Sequence, residues 1–235
     1  MLGVYCYWEG ETRHWYYDLC LETIKRHNPD LVVLSRTDIE AELGPLPDEL
    51  NNVYITHRVD WIRKVWIATV GGLWLDCDFV CWSSLDWLRK MAEAFDYVGY
   101  QEWHGTGWMD NIFAGRKGSV ILRDAAEYAL QQIRAHGNAM PWLAASAHAM
   151  NHAINLHRWG YYLQIPTYLL SPVSVMDKNW FAQKVAKNIK EFNAFGQITS
   201  FHVLGDWIKS TFASAESLLL SDTHLAHVLL RGLGD

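Results

Sequence analysis

The chain has 235 residues, half of them hydrophobic, with thirteen tryptophans and a formal net charge of −6. That length fits a single domain, 1–235, able to bury roughly 70–75% of its unfolded surface. The acidic balance argues against unspecific nucleic-acid binding, and no apolar run approaches the roughly 20 residues that span a bilayer.

In chain order, strand and helix patterns alternate. No basic stretch followed by an apolar core and a small-residue cleavage site opens the sequence, so no secretory signal and a cytoplasmic setting are expected. A strand is expected at 3–7, a helix at 12–27 and a second strand at 31–35. Pro45, Pro47 and neighbouring acidic residues mark a loop rather than a domain boundary. From His57 to Val70, apolar residues recur at Val59, Ile62, Val65, Trp66 and Val70, which is helical spacing. Gly71 and Gly72 then supply a left-handed stop and a turn into the next strand, 73–76. Asp60 and Arg63 lie three apart and are neighbours on that helix. As a surface ion pair they would be worth well under about 1 kcal/mol; facing a cleft at the strand end, they would grip a sugar or phosphate.

The carboxylates at the end of the strand favour the second account. Asp76 and Asp78 are separated by one residue, and in an extended backbone both project to the same side. Carboxylates that close repel each other unless a cation sits by them. Hard oxygen ligands suit Mg²⁺ or Mn²⁺, and these suit a diphosphate.

Further helices are expected near 84–93, 118–135, 141–157, 180–191 and 213–230, and strands at 96–100, 111–115, 161–165 and 199–203. Trp103 and Trp108 flank His104-Gly105-Thr106-Gly107, read as a mobile loop over a ligand or a hairpin turn. His148 and His152 have the spacing of helical zinc ligands, but no Glu adjoins His148, so a solvated or packed pair is the better reading. Lys184, Lys187 and Lys190 give 180–191 a basic face, open to peripheral membrane contact or plain solvation. The cysteines show no metal spacing and read as buried free thiols. Most of the tryptophans are read as packing, although such rings also stack on sugars. The alternation predicts a mainly parallel α/β sheet that binds ligands beyond the carboxyl ends of its strands, where Asp76 and Asp78 fall.

Asp60-x-x-Arg63 followed by GGLWLDCD, ending in Asp76 and Asp78, resembles the signature of DXD-containing sugar transferases. That grouping takes in glycosyltransferase family 32, the capsular polysaccharide synthesis proteins and, more distantly, the large clostridial glucosylating toxins. Val59 stands where the family usually has Ser, and Trp74 where it has Tyr; neither change removes a charge. The start, Val4 to Gly10, is similar to the family's first strand, and Asn28-Pro29-Asp30 to its lead into strand two. Asp110-Asn111-Ile112-Phe113-Ala114-Gly115 resembles the strand after the metal motif, and Phe201 to Trp207 the His-x-x-x-x-Trp element. The segment 138–150 is loosely like the family's Gly-Pro helix, with Met140-Pro141 in place of Gly-Pro.

The resemblance implies a GT-A fold and metal-dependent, retaining transfer of a sugar from a nucleoside diphosphate sugar. The acceptor would be a glycan, a lipid-linked glycan or a protein, in surface polysaccharide or glycoconjugate synthesis. It implies Mn²⁺ or Mg²⁺ held by Asp78 with Asp76 and His202, and donor binding by Trp8, Asp60, Arg63, Asp76 and Trp207. Asp110 and Asn111 are the candidates beneath the anomeric carbon, with Glu102 a lesser one. Two alternatives stand beside it. A haloacid-dehalogenase-like phosphohydrolase also uses Asp-x-Asp after an apolar strand, though normally on its first strand. A non-catalytic carbohydrate-binding protein would need neither metal nor nucleotide.

Overall fold

A computed structural model describes residues 2–102, 107–174, 176–184, 200–202 and 205–234, the side chain of Asp206 excepted. Residues 103–106 of the Gly-rich stretch, the part of the expected basic helix with Lys187 and Lys190, and Val203 and Leu204 lie outside the described residues. Two compact units divide the chain: Met1–Glu9, Val32–Asp76 and Asp86–Ile165 form one, and Gly10–Leu31, Cys77–Leu85 and Pro166–Asp235 the other.

The strands are β1 Val4–Tyr7, β2 Leu31–Leu34, β3 Gly72–Leu75, β4 Phe79–Cys81, β5 Tyr97–Gly99, β6 Ile112–Gly115, β7 Tyr162–Gln164 and β8 Ser200–His202. Six of them form one sheet in the order β2-β1-β3-β6-β5-β7. β1 pairs in parallel with β3, and β5 with β7, while β6 runs antiparallel to both β3 and β5. β6 therefore runs against the shared direction of β1, β3, β5 and β7, in keeping with the mainly parallel sheet expected. β3 is central and buried along its whole length, which is why it reads as a continuous apolar run without alternation.

Helices α1 Trp15–His27, α2 Arg36–Leu43, α3 Ile55–Val70, α4 Asp86–Ala92, α5 Val120–His136 and α6 Ala147–Leu156 separate the strands. In the first unit α3 packs on α5, and α5 on α6. Ile121, Leu122, Ala125, Ala129 and Ile133 form the buried stripe of α5 at helical spacing. α3 ends where its sequence says it should. Gly71 adopts φ +75° and ψ 164°, its N–H closes on Ile67 O at 2.9 Å, and a Cβ there would meet Lys117 N at 2.7 Å. Only glycine fits that position.

The helix expected at 141–157 starts six residues later. Residues 141–146 make turns closed by Ala144 N to Pro141 O at 2.9 Å and Ser146 N to Leu143 O at 3.2 Å.

In the second unit α1 packs against β4, which pairs antiparallel with β8. The remaining helices are α7 Thr167–Leu170, α8 Lys178–Ala182, α9 Gly205–Thr211, α10 Ala215–Leu219 and α11 His224–Leu233. The helix expected at 213–230 is broken because Thr223 caps a fresh start, accepting from Ala226 N at 3.2 Å. Lys184, expected on a helix, lies beyond the end of α8 in a bridge to Thr223. Cys6, Cys20, Cys77 and Cys81 are all buried and free. No helix among the described residues is long and apolar enough to cross a membrane.

Candidate active site

α3 aims three charged side chains into the first unit. The Arg63 guanidinium donates to Asp60 Oδ1 at 2.7 Å, Asp76 Oδ2 at 3.2 Å and the Asp110 carbonyl at 2.9 Å. Lys64 is fully buried, and its ammonium donates to the Asp110 carboxylate, to Asp60 O at 2.7 Å and to Ala145 O at 2.8 Å. Ser146 Oγ completes the shell of Asp110, donating to Oδ1 at 2.6 Å. Helix, strand entry and the 141–146 turn are thereby tied to one buried carboxylate.

Electrostatics explain why this cluster tolerates its burial. Burial lowers the Lys64 pKa from its ordinary value, against the pull of Asp110 and Asp60. Burial alone would raise the Asp110 pKa; the Arg63 and Lys64 charges and the donated hydrogen bonds outweigh it and hold the carboxyl below its usual range. Asp110 is thus a charged anchor with each oxygen engaged. Asn111, also buried, accepts at Oδ1 from Tyr100 Oη at 3.0 Å and Ile112 N at 2.9 Å.

Asp76 follows the last residue of β3. Its N–H donates to Asn111 O at 2.8 Å, and its carboxylate accepts from Arg63 and from Trp74 Nε1 at 3.0 Å. The extended backbone expected through Asp76 and Asp78 is not found: β3 stops at Leu75, Cys77 and Asp78 form a turn, and β4 begins at Phe79. The chain must leave the β3 ladder to pair β4 with β8, so alternation no longer decides where Asp78 points.

In the second unit, Asp78 Oδ1 lies 3.3 Å from His202 Nε2. That oxygen is buried and accepts no hydrogen bond. His202 pairs with Phe79 in the β4–β8 register and stacks on its ring at 4.8 Å between centroids. Among the described residues no group of three or more His, Cys, Asp and Glu is arranged to hold a metal ion.

The other expected residues are scattered. Trp8 follows β1, half-buried, its backbone N–H donating to Leu34 O at 2.9 Å. Beside it, Glu9 takes the Arg58 guanidinium at 2.7 Å and Tyr7 Oη at 2.9 Å. Trp207 sits half-buried on α9 against Phe212. Glu102 is half-buried, with Oε1 lacking a hydrogen-bond partner. His152 stacks on Tyr128 at 4.4 Å, and both it and His148 are exposed. The sequence reading missed Lys64 and Ser146. A signal for Lys64 existed: it lies on the apolar stripe Trp61, Lys64, Ala68, where a cation needs a buried partner.

No protein-family model matches the chain, and no curated protein does. Solved structures do. The glycosyltransferase GlyE of Streptococcus pneumoniae TIGR4 is similar over 100% of this chain at 12% identity and a TM-score of 0.55, and the chain spans 61% of the length of that structure. The galactosyltransferase LgtC, solved in complex with donor and acceptor sugar analogs, is similar over 99% of this chain and 95% of its own, at 11% identity and a TM-score of 0.54. An active-site mutant of LgtC aligns over 87% of this chain and 88% of its own at 10% identity and a TM-score of 0.51. The chain therefore has the GT-A-like fold of these glycosyltransferases.

Proposed function

We propose that the chain is a metal-dependent glycosyltransferase that moves a sugar from a nucleoside diphosphate sugar to a glycan, lipid-linked or protein acceptor. The observation that carries this reading is the Asp60–Arg63–Asp76 cluster at the carboxyl end of β3, on a fold shared with known glycosyltransferases. Asp60 would accept hydrogen bonds from sugar hydroxyls, and Arg63 would donate to a sugar or phosphate oxygen. Asp110, itself fixed by Lys64 and Ser146, holds the Arg63 guanidinium in place, so little freedom is lost when the donor arrives. Asp110 then acts as a positioning residue, its carboxylate being enclosed by Lys64, Arg63 and Ser146.

Asp78 and His202 fit a hard divalent cation. A buried carboxylate oxygen without a hydrogen bond, 3.3 Å from an imidazole nitrogen, is an oxygen–nitrogen donor pair short of a positive charge. They would hold Mn²⁺ or Mg²⁺, with Asp76 kept as a third ligand on the strength of the Asp-x-Asp spacing alone. A cation bound there supplies Lewis-acid stabilisation of the charge that develops on the leaving diphosphate. Trp8 and Trp207 are assigned to the nucleotide base and the diphosphate. Transfer is taken as retaining, in surface polysaccharide or glycoconjugate synthesis in the cytoplasm.

Nucleotide release from UDP- and GDP-sugars in the presence of Mn²⁺ tests the assignment. Arg63→Ala should cut kcat/KM by roughly 10²–10³ for the sugar nucleotide that is turned over. An unchanged rate would remove Arg63 from the site. Hydrolysis of a simple phosphate ester with no nucleotide turnover would favour the phosphohydrolase instead.

A further inference from the structure

Beside this cluster, two large aromatic side chains are left in solvent. Tyr54 is 61% and Trp142 68% exposed, and their rings lie 6.0 and 6.1 Å from the ring of His57. His57 is 2% exposed, its Nδ1 has no hydrogen-bond partner, and it lies 4.0 Å from Asp60 Oδ2. Leaving such rings in water forgoes burial worth about 1.5–3 kcal/mol each. The backbone under them is nevertheless fixed. Tyr54 N donates to Asn138 Oδ1 at 2.6 Å, and Asn138 Nδ2 donates in turn to Asn52 O at 3.2 Å. The turn that carries Trp142 is closed by Ala144 N on Pro141 O and is tied to α3 by Lys64 on Ala145 O. Tyr54 caps α3, and both rings neighbour His57, which lies about one helical turn before Asp60.

We infer that Tyr54, His57 and Trp142 form the subsite for the acceptor sugar. A pyranose presents an apolar face of C–H groups and a rim of hydroxyls. Exposed Trp and Tyr rings match the face, and the carboxylate of Asp60 matches the rim. The buried His57 ring neighbours both aromatic rings. Its unpartnered Nδ1 needs a shift of about 1 Å to reach Asp60 Oδ2 at hydrogen-bond distance, so seating a sugar can draw the two together and orient Asp60. Asp60 contacts Arg63 on one side and faces His57 on the other. With the Arg63–Asp76 side given to the donor, a sugar on the His57 side stands where the acceptor must. The assignment rests on the transferase reading above.

The test uses the full chain labelled with 5-fluorotryptophan, the Trp142 line being identified by its loss in Trp142→Phe. Methyl glycosides of glucose, galactose, mannose and N-acetylglucosamine are titrated with UDP or GDP and Mn²⁺ present, and nucleotide binding is measured on the same samples. The expected result is a saturable shift of the Trp142 line with at least one glycoside, with affinity weakened tenfold or more in Tyr54→Ala and nucleotide affinity serving as the fold control. If a nucleotide binds and no glycoside moves the Trp142 line, the subsite is overturned while the transferase reading stands. If no nucleotide binds, the transferase reading fails and the acceptor assignment with it, even where a glycoside shifts the line.

Discussion

Lys64 sits on the apolar stripe of α3 with no water contact, so its charge must be met inside the protein. Asp110 meets it, and both are further satisfied by Asp60 O, Ala145 O, Arg63 and Ser146. Breaking such a pair from one side leaves a bare buried charge. Lys64→Met should therefore lower unfolding free energy by about 3–5 kcal/mol in urea titrations, and Lys64→Met with Asp110→Leu should recover part of the loss. The pH dependence follows from Asp110. Its folded pKa is lowered, so its stabilisation is present above the unfolded value of about 3.9 and is lost as pH falls through the folded value. The stability difference between wild type and Asp110→Asn should be flat above about pH 5 and shrink below about pH 4; a difference constant down to strong acid would mean that folding leaves the Asp110 pKa unshifted. At this scale the sequence exposed Asp60 and Arg63, because charged residues three apart beside a carboxylate pair are conspicuous. It hid Ser146, whose role depends on a turn reaching back from far along the chain.

The α3–Gly71–β3 unit is the element most fully legible from sequence. Apolar spacing gave the helix, the Gly-Gly pair its stop, and Leu73-Trp74-Leu75 the buried strand, all within two residues of the observed limits. Gly71→Ala should cost about 1–3 kcal/mol, because φ +75° with ψ 164° is essentially closed to side chains. Thermal unfolding reads the loss, and a neutral result would mean that the backbone relaxes there. Alternation misplaces Asp78 for a reason that lies outside the local sequence. β4 exists because Phe79, Val80 and Cys81 find partners in Ser200, Phe201 and His202, and that distant pairing bends the chain after Asp76. The same holds for 141–146, where an apolar, alanine-rich run forms turns that bring Ala145 O to Lys64 and Ser146 to Asp110.

For the molecule as a whole, alternating strand and helix patterns were enough to give a mainly parallel α/β sheet, and the solved structures show the same GT-A-like fold. The division into two compact units was not legible, since no linker, repeat or composition shift accompanies it. The tryptophans divide as a bulky core demands: Trp61, Trp66, Trp74 and Trp108 are buried, and Trp142 and Trp159 stand in solvent. On the proposed reading, a cation and a nucleotide bind together through Asp78. Thermal unfolding of wild type and Asp78→Ala, with UDP- and GDP-sugars and with or without Mn²⁺, addresses it directly. A nucleotide at a hundred times its Kd should stabilise the wild type by about 2.7 kcal/mol, or roughly 5–10 °C, only when Mn²⁺ is present, and the gain should vanish in Asp78→Ala. No shift for any nucleotide, or an equal shift in the variant and without Mn²⁺, would contradict the account.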